Sequence, residues 1–150
     1  MLGNGAAGKS RFSRELSDAT GIPRTELDTV FWSHGMVPLP VDEWRQMQSD
    51  LAGPSRWILD GDLGPYDELD VRLVRADTIV LFDIPTVVCA WRAFRRSRER
   101  LDFWRWLLTW RRRFRPKIVD AIRVHASAAE LLVVRTRADR DRVLAYLVRP

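Results

Sequence analysis

Cysteine, histidine and long apolar runs are scarce in this 150-residue sequence. The single cysteine, Cys89, excludes an internal disulfide and a cysteine-rich metal site, and its apolar neighbours predict a buried side chain. The two histidines, His34 and His125, lie far apart without metal-ligand spacing, so we interpret both as structural or surface residues. The longest apolar stretches, such as residues 79–82, are too short to cross a bilayer, and the glycine-rich beginning is unlike a signal peptide. We therefore expect a cytoplasmic protein without a membrane partner.

Lysine is also scarce, and the positive charge is concentrated in one segment. Lysine occurs only at Lys9 and Lys117, so 23 of the 25 basic side chains are arginines, against 20 acidic ones and a net charge of +5. Ten arginines and only two acids, Glu99 and Asp102, lie within residues 92–115, which gives this segment a net charge of +8. Such a basic segment on an otherwise mildly acidic chain predicts one site for an anion, and the charge alone leaves open whether this is a nucleotide, a nucleic acid or a membrane surface.

The apolar residues follow helical spacing in some segments and form short runs in others. The length and the 46% hydrophobic content fit one globular domain that spans residues 1–150. Alternation of strands and helices at this spacing predicts an α/β fold with a parallel sheet. After a strand stub at residues 1–2, we predict strands at 25–30, 56–60, 78–83 and 130–135, and helices at 9–20, 41–52, 68–75, 86–100, 102–115, 117–126 and 138–147.

The first ten residues contain a complete phosphate-binding motif. Residues Gly3–Ser10 read G-N-G-A-A-G-K-S, which matches G-x-x-x-x-G-K-[ST]. Its glycines let backbone N–H groups turn towards phosphate oxygens, Lys9 supplies a cation, and the helix that follows presents its N-terminus to the anion. The alternative is a flexible glycine-rich terminus. The helical pattern that begins at Lys9 argues against it. The predicted nucleotide-binding residues are Gly3, Asn4, Gly5, Ala6, Ala7, Gly8, Lys9, Ser10 and the adjacent Arg11.

Two of the predicted strands end in an aspartate, at Asp60 and at Asp83. A carboxylate at such a strand end can hold Mg²⁺ directly or through water, although an aspartate that merely caps the next turn is the alternative for each. We favour Asp60 because Gly61 after it permits a ligand to approach closely. The Ser10 hydroxyl and Asp60 are therefore the predicted Mg²⁺ ligands.

Further segments follow the phosphate-binding motif in a fixed order. They are residues 27–32 (Leu-Asp-x-x-Phe-Trp), 57–62 (Trp-Ile-Leu-Asp-Gly-Asp), 82–85 (Phe-Asp-Ile-Pro), Arg92, Arg95 and Arg96, and residues 99–106 and 111–116. This ordered set resembles the adenylate kinase-like P-loop kinases, and among them the small bacterial DNA topology modulation proteins. The resemblance extends over nearly the whole chain.

The resemblance implies both a fold and an activity. The implied fold is a P-loop NTPase three-layer sandwich with a parallel five-stranded sheet in the order 2-3-1-4-5. The implied activity is a kinase that uses ATP or GTP with Mg²⁺ and phosphorylates a nucleotide or a small hydroxylated molecule. Asp28, at the end of the second strand, resembles the acid that binds the acceptor. Lys9, Arg92 and Arg96 resemble the cations that stabilise the phosphoryl group during transfer.

The sequence departs from this pattern in two places. Only Met1 and Leu2 precede the phosphate-binding motif, so the first strand is expected to be truncated. Relatives carry a lid after the arginine helix, whereas here Arg96 is followed almost at once by residues 99–102. Because a lid excludes water and completes a kinase site, its shortening favours nucleotide binding over fast turnover.

A nucleic-acid-binding protein that uses the arginine-rich helices of residues 92–115 is the alternative function, and the family name suggests it. The run Arg111–Arg113 fits a nucleotide contact, a DNA backbone contact or a solvated helix face. We interpret Trp104, Trp106 and Trp110 as helix packing rather than as a platform for bases. The sequence leaves the phosphate acceptor and the oligomeric state open.

Overall fold

The strands of the computed structural model, which describes residues 1–32, 37–96 and 101–149, pair only in parallel. In the described residues they form two sheets, one in the order β1-β4-β5 and the other in the order β2-β3. This arrangement confirms the predicted α/β class with parallel pairing. The strands are β1 (Leu2–Gly3), β2 (Arg24–Glu26), β3 (Ile58–Asp60), β4 (Thr78–Phe82) and β5 (Glu130–Val134).

Hydrogen bonds of Met1 connect the two sheets. The Met1 nitrogen donates to the Leu59 carbonyl at 2.7 Å, and the Gly61 N–H donates to the Met1 carbonyl at 3.3 Å. These two bonds are those of a parallel pairing between the residue before β1 and the end of β3. The assigned strands nevertheless form two sheets, so the single five-stranded order 2-3-1-4-5 stays a prediction.

The helices lie close to their predicted positions. The first runs from Lys9 to Thr20 as predicted, and the long arginine helix covers 86–96, while its predicted continuation over 97–100 lies outside the described residues. Among the described residues, no helix is both long enough and apolar enough to span a bilayer. The helices are α1 (Lys9–Thr20), α2 (Leu27–Phe31), α3 (Val41–Leu51), α4 (Leu69–Leu73), α5 (Thr86–Arg96), α6 (Leu101–Arg113), α7 (Arg115–His125) and α8 (Arg137–Leu147).

The predicted strand at 25–30 is wrong beyond its first two residues. Strand β2 ends at Glu26, and Leu27–Phe31 forms the short helix α2. Leu27 and Phe31 are four residues apart and both are buried against Trp44, whereas Thr29 between them is exposed. A strand would turn all three odd-numbered side chains to one face, so only the helical period buries this pair. Asp28 therefore lies in the first turn of a helix and not at a strand end.

The core is divided by the β1-β4-β5 sheet. Side chains alternate along β4, so that Val80 and Phe82 belong to one apolar cluster and Ile79 and Leu81 to another. Cys89 is fully buried in the first cluster, which confirms its predicted role as a small core side chain. Because the strands are parallel, Gly3, Asp60 and Asp83 all stand at or beside carboxyl ends of strands, where ligands bind in open α/β sheets.

Candidate active site

The loop between β1 and α1 has a conformation that requires glycine at both of its ends. Gly3 has φ 139°, and a Cβ there would lie 2.6 Å from the Phe82 carbonyl oxygen. Gly8 has φ 99° in the left-handed region and forms the N-cap of α1, with open space around its missing Cβ. A residue with a side chain adopts these conformations only at a cost in free energy, whereas glycine adopts them readily. The motif found in the sequence therefore forms a tight loop that ends on a helix.

The inner part of this loop is supported by α6. The buried Asn4 donates through Nδ2 to the Leu107 carbonyl at 3.1 Å, and its Oδ1 accepts from the Gly5 N–H at 2.8 Å. A Cβ on Gly5 would lie 2.7 Å from the Trp106 ring and 2.8 Å from the Phe103 ring. Asn4 and Gly5 thus face the protein, and α6 holds the loop in shape. The sequence pattern did not indicate this contact, which joins residues about a hundred positions apart.

Lys9 and the start of α1 form the open side of the loop. The Lys9 Nζ donates to the Gly3 carbonyl at 2.7 Å and to the Asn4 carbonyl at 2.9 Å, so the ammonium spans the loop. Within the part of the chain that the structure describes, no side chain caps the N-terminus of α1, and the first turn of this helix contains no acidic residue. The Ser10 side chain is exposed there. Unpaired N–H groups of a first helical turn, together with the helix dipole, attract anions.

Asp60 lies beside this loop with one carboxylate oxygen unused. Its Oδ2 accepts from the Ser13 hydroxyl at 2.9 Å and from the Arg24 guanidinium at 3.4 Å, while the buried Oδ1 has no hydrogen-bond partner among the described residues. The Ser13 hydroxyl is also 3.2 Å from the Ser10 carbonyl, which ties Asp60 to the first turn of α1. An unpaired buried carboxylate oxygen near a serine hydroxyl fits a divalent cation with oxygen ligands. The described residues contain no cluster of three or more acidic, histidine or cysteine ligands, so phosphate and water would complete the shell.

Asp28 reaches the same region from α2. A Cβ on Gly61, whose φ is 152°, would lie 3.6 Å from the Asp28 Oδ2 and 2.9 Å from the Leu27 Cβ, so only glycine fits beside this carboxyl. The residue retains exposed surface, yet desolvation by the surrounding protein raises the pKa of the Asp28 carboxyl. Lys9 lowers this pKa, and Asp60 is among the acids that raise it. The structure therefore brings Lys9, Asp28 and Asp60 into electrostatic contact.

A buried arginine shapes the segment that follows β3. The Arg72 guanidinium donates to the Gly61 carbonyl at 3.0 Å, to the Asp67 carboxylate at 2.8 Å and to the Gln48 side-chain oxygen at 2.9 Å. Asp62, in the same segment, accepts from the Trp110 indole N–H at 2.8 Å. Sequence reasoning missed Arg72, because a single arginine in a short helix is by its local pattern a surface residue.

A cleft of about 530 Å³ opens on the other side of the phosphate-binding loop. Residues Ala6–Gly8 form one wall, and Arg92 contacts it by donating to the Ala7 carbonyl at 3.3 Å. Arg92 and Arg96, which are four residues apart on one helix, both line the cleft, and no acidic residue is among its lining residues in the described part of the chain. Its arginines are Arg11, Arg92, Arg95, Arg96, Arg137 and Arg140.

Comparison with known proteins places this geometry in a known fold. No family model matches the sequence, and no curated protein matches it significantly. Solved structures do match. An unliganded sugar kinase from Janibacter sp. HTCC2649 is similar with a TM-score of 0.61 and 20% identity, over 97% of this chain and 91% of that one. The fold is that of the P-loop kinases.

Two shikimate kinases share this P-loop kinase fold. The one from Aquifex aeolicus has a TM-score of 0.56 and 20% identity, over 98% of this chain and 90% of that one. The one from Bacteroides thetaiotaomicron has a TM-score of 0.59 and 14% identity, over 97% and 93%. Similarity at this level of identity establishes the fold, while the resemblance to the topology modulation proteins stays a prediction.

Asp83, the second aspartate at a strand end, forms ion pairs with arginines. Arg115 forms two bonds of 3.0 Å to its carboxylate, and Arg111 and Arg135 lie 3.4 and 3.5 Å from it. The carboxylate is buried, so these ion pairs balance its charge. Asp83 is more than a turn cap, because its carboxylate connects α6, α7 and the residue after β5. Part of the arginine-rich segment is thus structural.

The remaining arginines of this segment differ in position. Arg112 is exposed on α6, and Arg113 lines a smaller hollow of about 260 Å³ with the Trp106 ring. Trp110 is buried, which confirms its predicted packing role. Arg98 and Arg100 lie outside the described residues. His34 and residues 97–100, where we expected a shortened lid, also lie outside the described residues.

Proposed function

We propose that this protein is a P-loop phosphotransferase that binds ATP or GTP. The observation that carries the proposal is the uncapped start of α1, with Lys9 across the loop, beside a cleft lined by six arginines. A nucleoside triphosphate has several negative charges along one edge, and Arg guanidinium groups bind phosphate oxygens through charge-assisted hydrogen bonds. The volume of the cleft is in the range of nucleotide and cofactor pockets.

Mg²⁺ fits the residues on the inner side of the loop. In this proposal the Ser10 hydroxyl and the free Oδ1 of Asp60 hold the cation directly or through water. A bound Mg²⁺ would neutralise part of the charge that develops on the phosphate oxygens. Ser13 and Arg24 hold the other oxygen of Asp60, so that the free oxygen keeps its place.

The residues on both sides of the loop take complementary roles in transfer. Asp28, with its raised pKa and its place beside Gly61, accepts the proton of an acceptor hydroxyl on a nucleotide or small molecule. Lys9, Arg92 and Arg96 stabilise the charge on the transferring phosphoryl group. We further propose a cytoplasmic location and a sheet in the order 2-3-1-4-5, which the hydrogen bonds of Met1 support.

Asp28→Asn tests the transfer step. Removing a general base lowers kcat by about 10²- to 10⁴-fold, while the affinity for Mg-ATP changes much less because Asp28 does not line the arginine-lined cleft. Only the ionised carboxyl accepts a proton, so the wild-type rate falls as pH is lowered through the raised pKa of Asp28. The measurement is ADP formation with a panel of sugars, polyols and nucleosides. Asp18→Asn on the exposed face of α1 is the control, and equal rates for the two variants contradict the assignment.

DNA binding through the arginine-rich helices remains the alternative. Arg111 and Arg115 pair with Asp83, so exposed side chains such as Arg112 and Arg113 are the better candidates for a phosphate backbone. Comparing two double variants separates the two functions: Arg92→Ala/Arg96→Ala and Arg112→Ala/Arg113→Ala.

For the first double variant we expect Mg-ATP affinity to fall by about tenfold or more, because charge-assisted contacts are lost. We expect the second to leave nucleotide affinity unchanged. Both are titrated with Mg-ATP and with duplex DNA across a salt series. If the first pair leaves ATP binding intact and either pair lowers the DNA salt slope by about one unit per lost phosphate contact, the alternative is correct.

A further inference from the structure

The arginine-lined cleft contains an aromatic side chain that phosphate binding does not use. Trp91 lines the cleft from α5 and is 57% exposed. Among the described lining residues, the other aromatic is Phe82, which is buried in the core. Large apolar side chains are stabilised by removal from water, so an indole that stays exposed inside a cleft is a surface available to a ligand.

The two helices that begin at the cleft show which end of it suits phosphates. At α8 the Thr136 hydroxyl accepts from the Asp139 N–H, and the Asp139 carboxylate accepts from the N–H groups of Arg135 and Thr136. The start of α8 is thus closed by its own side chains. The start of α1 at Gly8 has no such cap. The phosphates of a ligand therefore belong at α1, and the rest of the ligand extends away from it.

Helix α5 presents two neighbouring rows of side chains to the cleft. Arg92 touches the phosphate-binding loop through the Ala7 carbonyl, and Arg96 follows one turn later on the same face. Trp91 and Arg95 form the second row, with the Arg95 guanidinium carbon 4.8 Å from the centre of the Trp91 ring. This cation–π contact covers part of the indole and holds its plane. The exposed part of the indole is a flat apolar surface directly beside the row formed by Arg92 and Arg96.

We propose that Trp91 binds the base of the nucleotide by stacking, on a ring that Arg95 holds in place. The inference rests on the proposed function, since it requires a nucleotide whose phosphates lie at α1. Stacking on an indole uses the face of the base rather than its edge, so adenine and guanine are both accepted. Because a purine covers more of the indole than a pyrimidine, the preferred ligand is a purine nucleoside triphosphate.

The test separates the base from the phosphates. Wild type, Trp91→Leu and Trp91→Phe are titrated by calorimetry with Mg-ATP, Mg-GTP, Mg-CTP and inorganic tripolyphosphate. We expect Trp91→Leu to weaken Mg-ATP and Mg-GTP binding by about tenfold or more, as loss of a stacking aromatic does. We expect tripolyphosphate affinity to stay unchanged and Trp91→Phe to retain most of the nucleotide affinity. Phe94→Leu is the matched control, since Phe94 is exposed on the same helix and does not line the cleft.

Each other outcome has a definite meaning. The inference is overturned if Trp91→Leu leaves nucleotide affinity unchanged. It is also overturned if Trp91→Leu lowers the affinities for nucleotides and for tripolyphosphate equally, because Trp91 then only supports the wall of the cleft. Wild-type protein that binds tripolyphosphate as tightly as Mg-ATP also overturns it, while leaving a phosphate site in place. Wild-type protein that binds none of the four ligands instead refutes the proposed function itself.

Discussion

Replacing Lys9 with alanine weakens Mg-ATP binding by about 10- to 150-fold, which corresponds to the roughly 1.5–3 kcal/mol that hydrogen bonds to a charged group contribute. In the protein the Lys9 ammonium already spans the loop between the Gly3 and Asn4 carbonyls, so it meets an incoming phosphate without a large rearrangement. Phosphoryl transfer is lost to a greater extent, because the same cation stabilises the charge of the transition state. Titration with a fluorescent ATP analogue measures the first effect.

The sequence offers a matched control for this experiment. Lys117 is the only other lysine, and it is exposed in the first turn of α7. Lys117→Ala changes the net charge by the same amount as Lys9→Ala, so a general electrostatic effect on nucleotide binding would appear in both variants. Thermal unfolding of each variant shows whether the loop still folds. Equal nucleotide affinity of folded Lys9→Ala and wild type would rule out the phosphate-binding assignment.

Replacing Arg72 with methionine lowers the free energy of unfolding at neutral pH by about 3–5 kcal/mol, the usual cost of removing one partner of a buried ion pair. Arg72 is buried, and its loss leaves the Asp67 carboxylate without a cation and the Gly61 carbonyl without its donor. The same contacts hold the segment beside Asp28. Acceptor binding therefore weakens along with stability.

The pH dependence identifies the cause of this destabilisation. Desolvation already raises the pKa of Asp67 and Arg72 opposes the rise, so Arg72→Met raises this pKa further. A raised folded-state pKa stabilises the protein below the unfolded-state pKa, and the contribution is lost as pH rises through the folded-state pKa. The deficit of Arg72→Met relative to wild type is thus smallest near pH 4 and grows towards neutral pH.

Denaturant unfolding of three further variants completes a double-mutant cycle with a control. Arg72→Met/Asp67→Asn recovers much of the loss, because no unpaired charge remains, and Asp67→Asn is measured alone. Arg75→Met, at an exposed arginine three residues later, has a small effect. A deficit that is independent of pH and unchanged by Asp67→Asn would show that packing, and not charge pairing, accounts for the role of Arg72.

Much of this protein could be predicted from local patterns. The spacing of Phe12 and Leu16 and the stop at Gly21 were sufficient for α1, whose predicted range agrees with the structure. The phosphate-binding motif and the apolar run of β4 were equally clear, because neighbouring residues alone determine a tight loop or a strand. The predicted α/β fold with a parallel sheet is likewise shared with solved structures of a sugar kinase and two shikimate kinases.

Other features could not be predicted, because they depend on partners distant in the chain. Residues 25–30 have enough β-branched and apolar side chains to predict a strand. In the structure a helix follows Glu26 instead, because the helical period buries Leu27 and Phe31 against Trp44. The sequence left Asp83 open between a metal ligand and a turn cap, and the structure pairs its carboxylate with three arginines from beyond residue 110. The residues next to an aspartate in the sequence do not show whether its carboxylate pairs with an arginine or binds a metal.

The sequence by itself determined the α/β class, the phosphate-binding loop, the concentration of arginine and the buried cysteine, since each depends on residue type and spacing within one segment. Only the tertiary structure decided which arginines balance Asp83 and which line the cleft. It also decided that α6 supports Asn4 and Gly5, and that Trp91 stands exposed in that cleft. The physical reason is that charge pairing, desolvation and stacking act through space, between side chains that the fold brings together from distant parts of the chain.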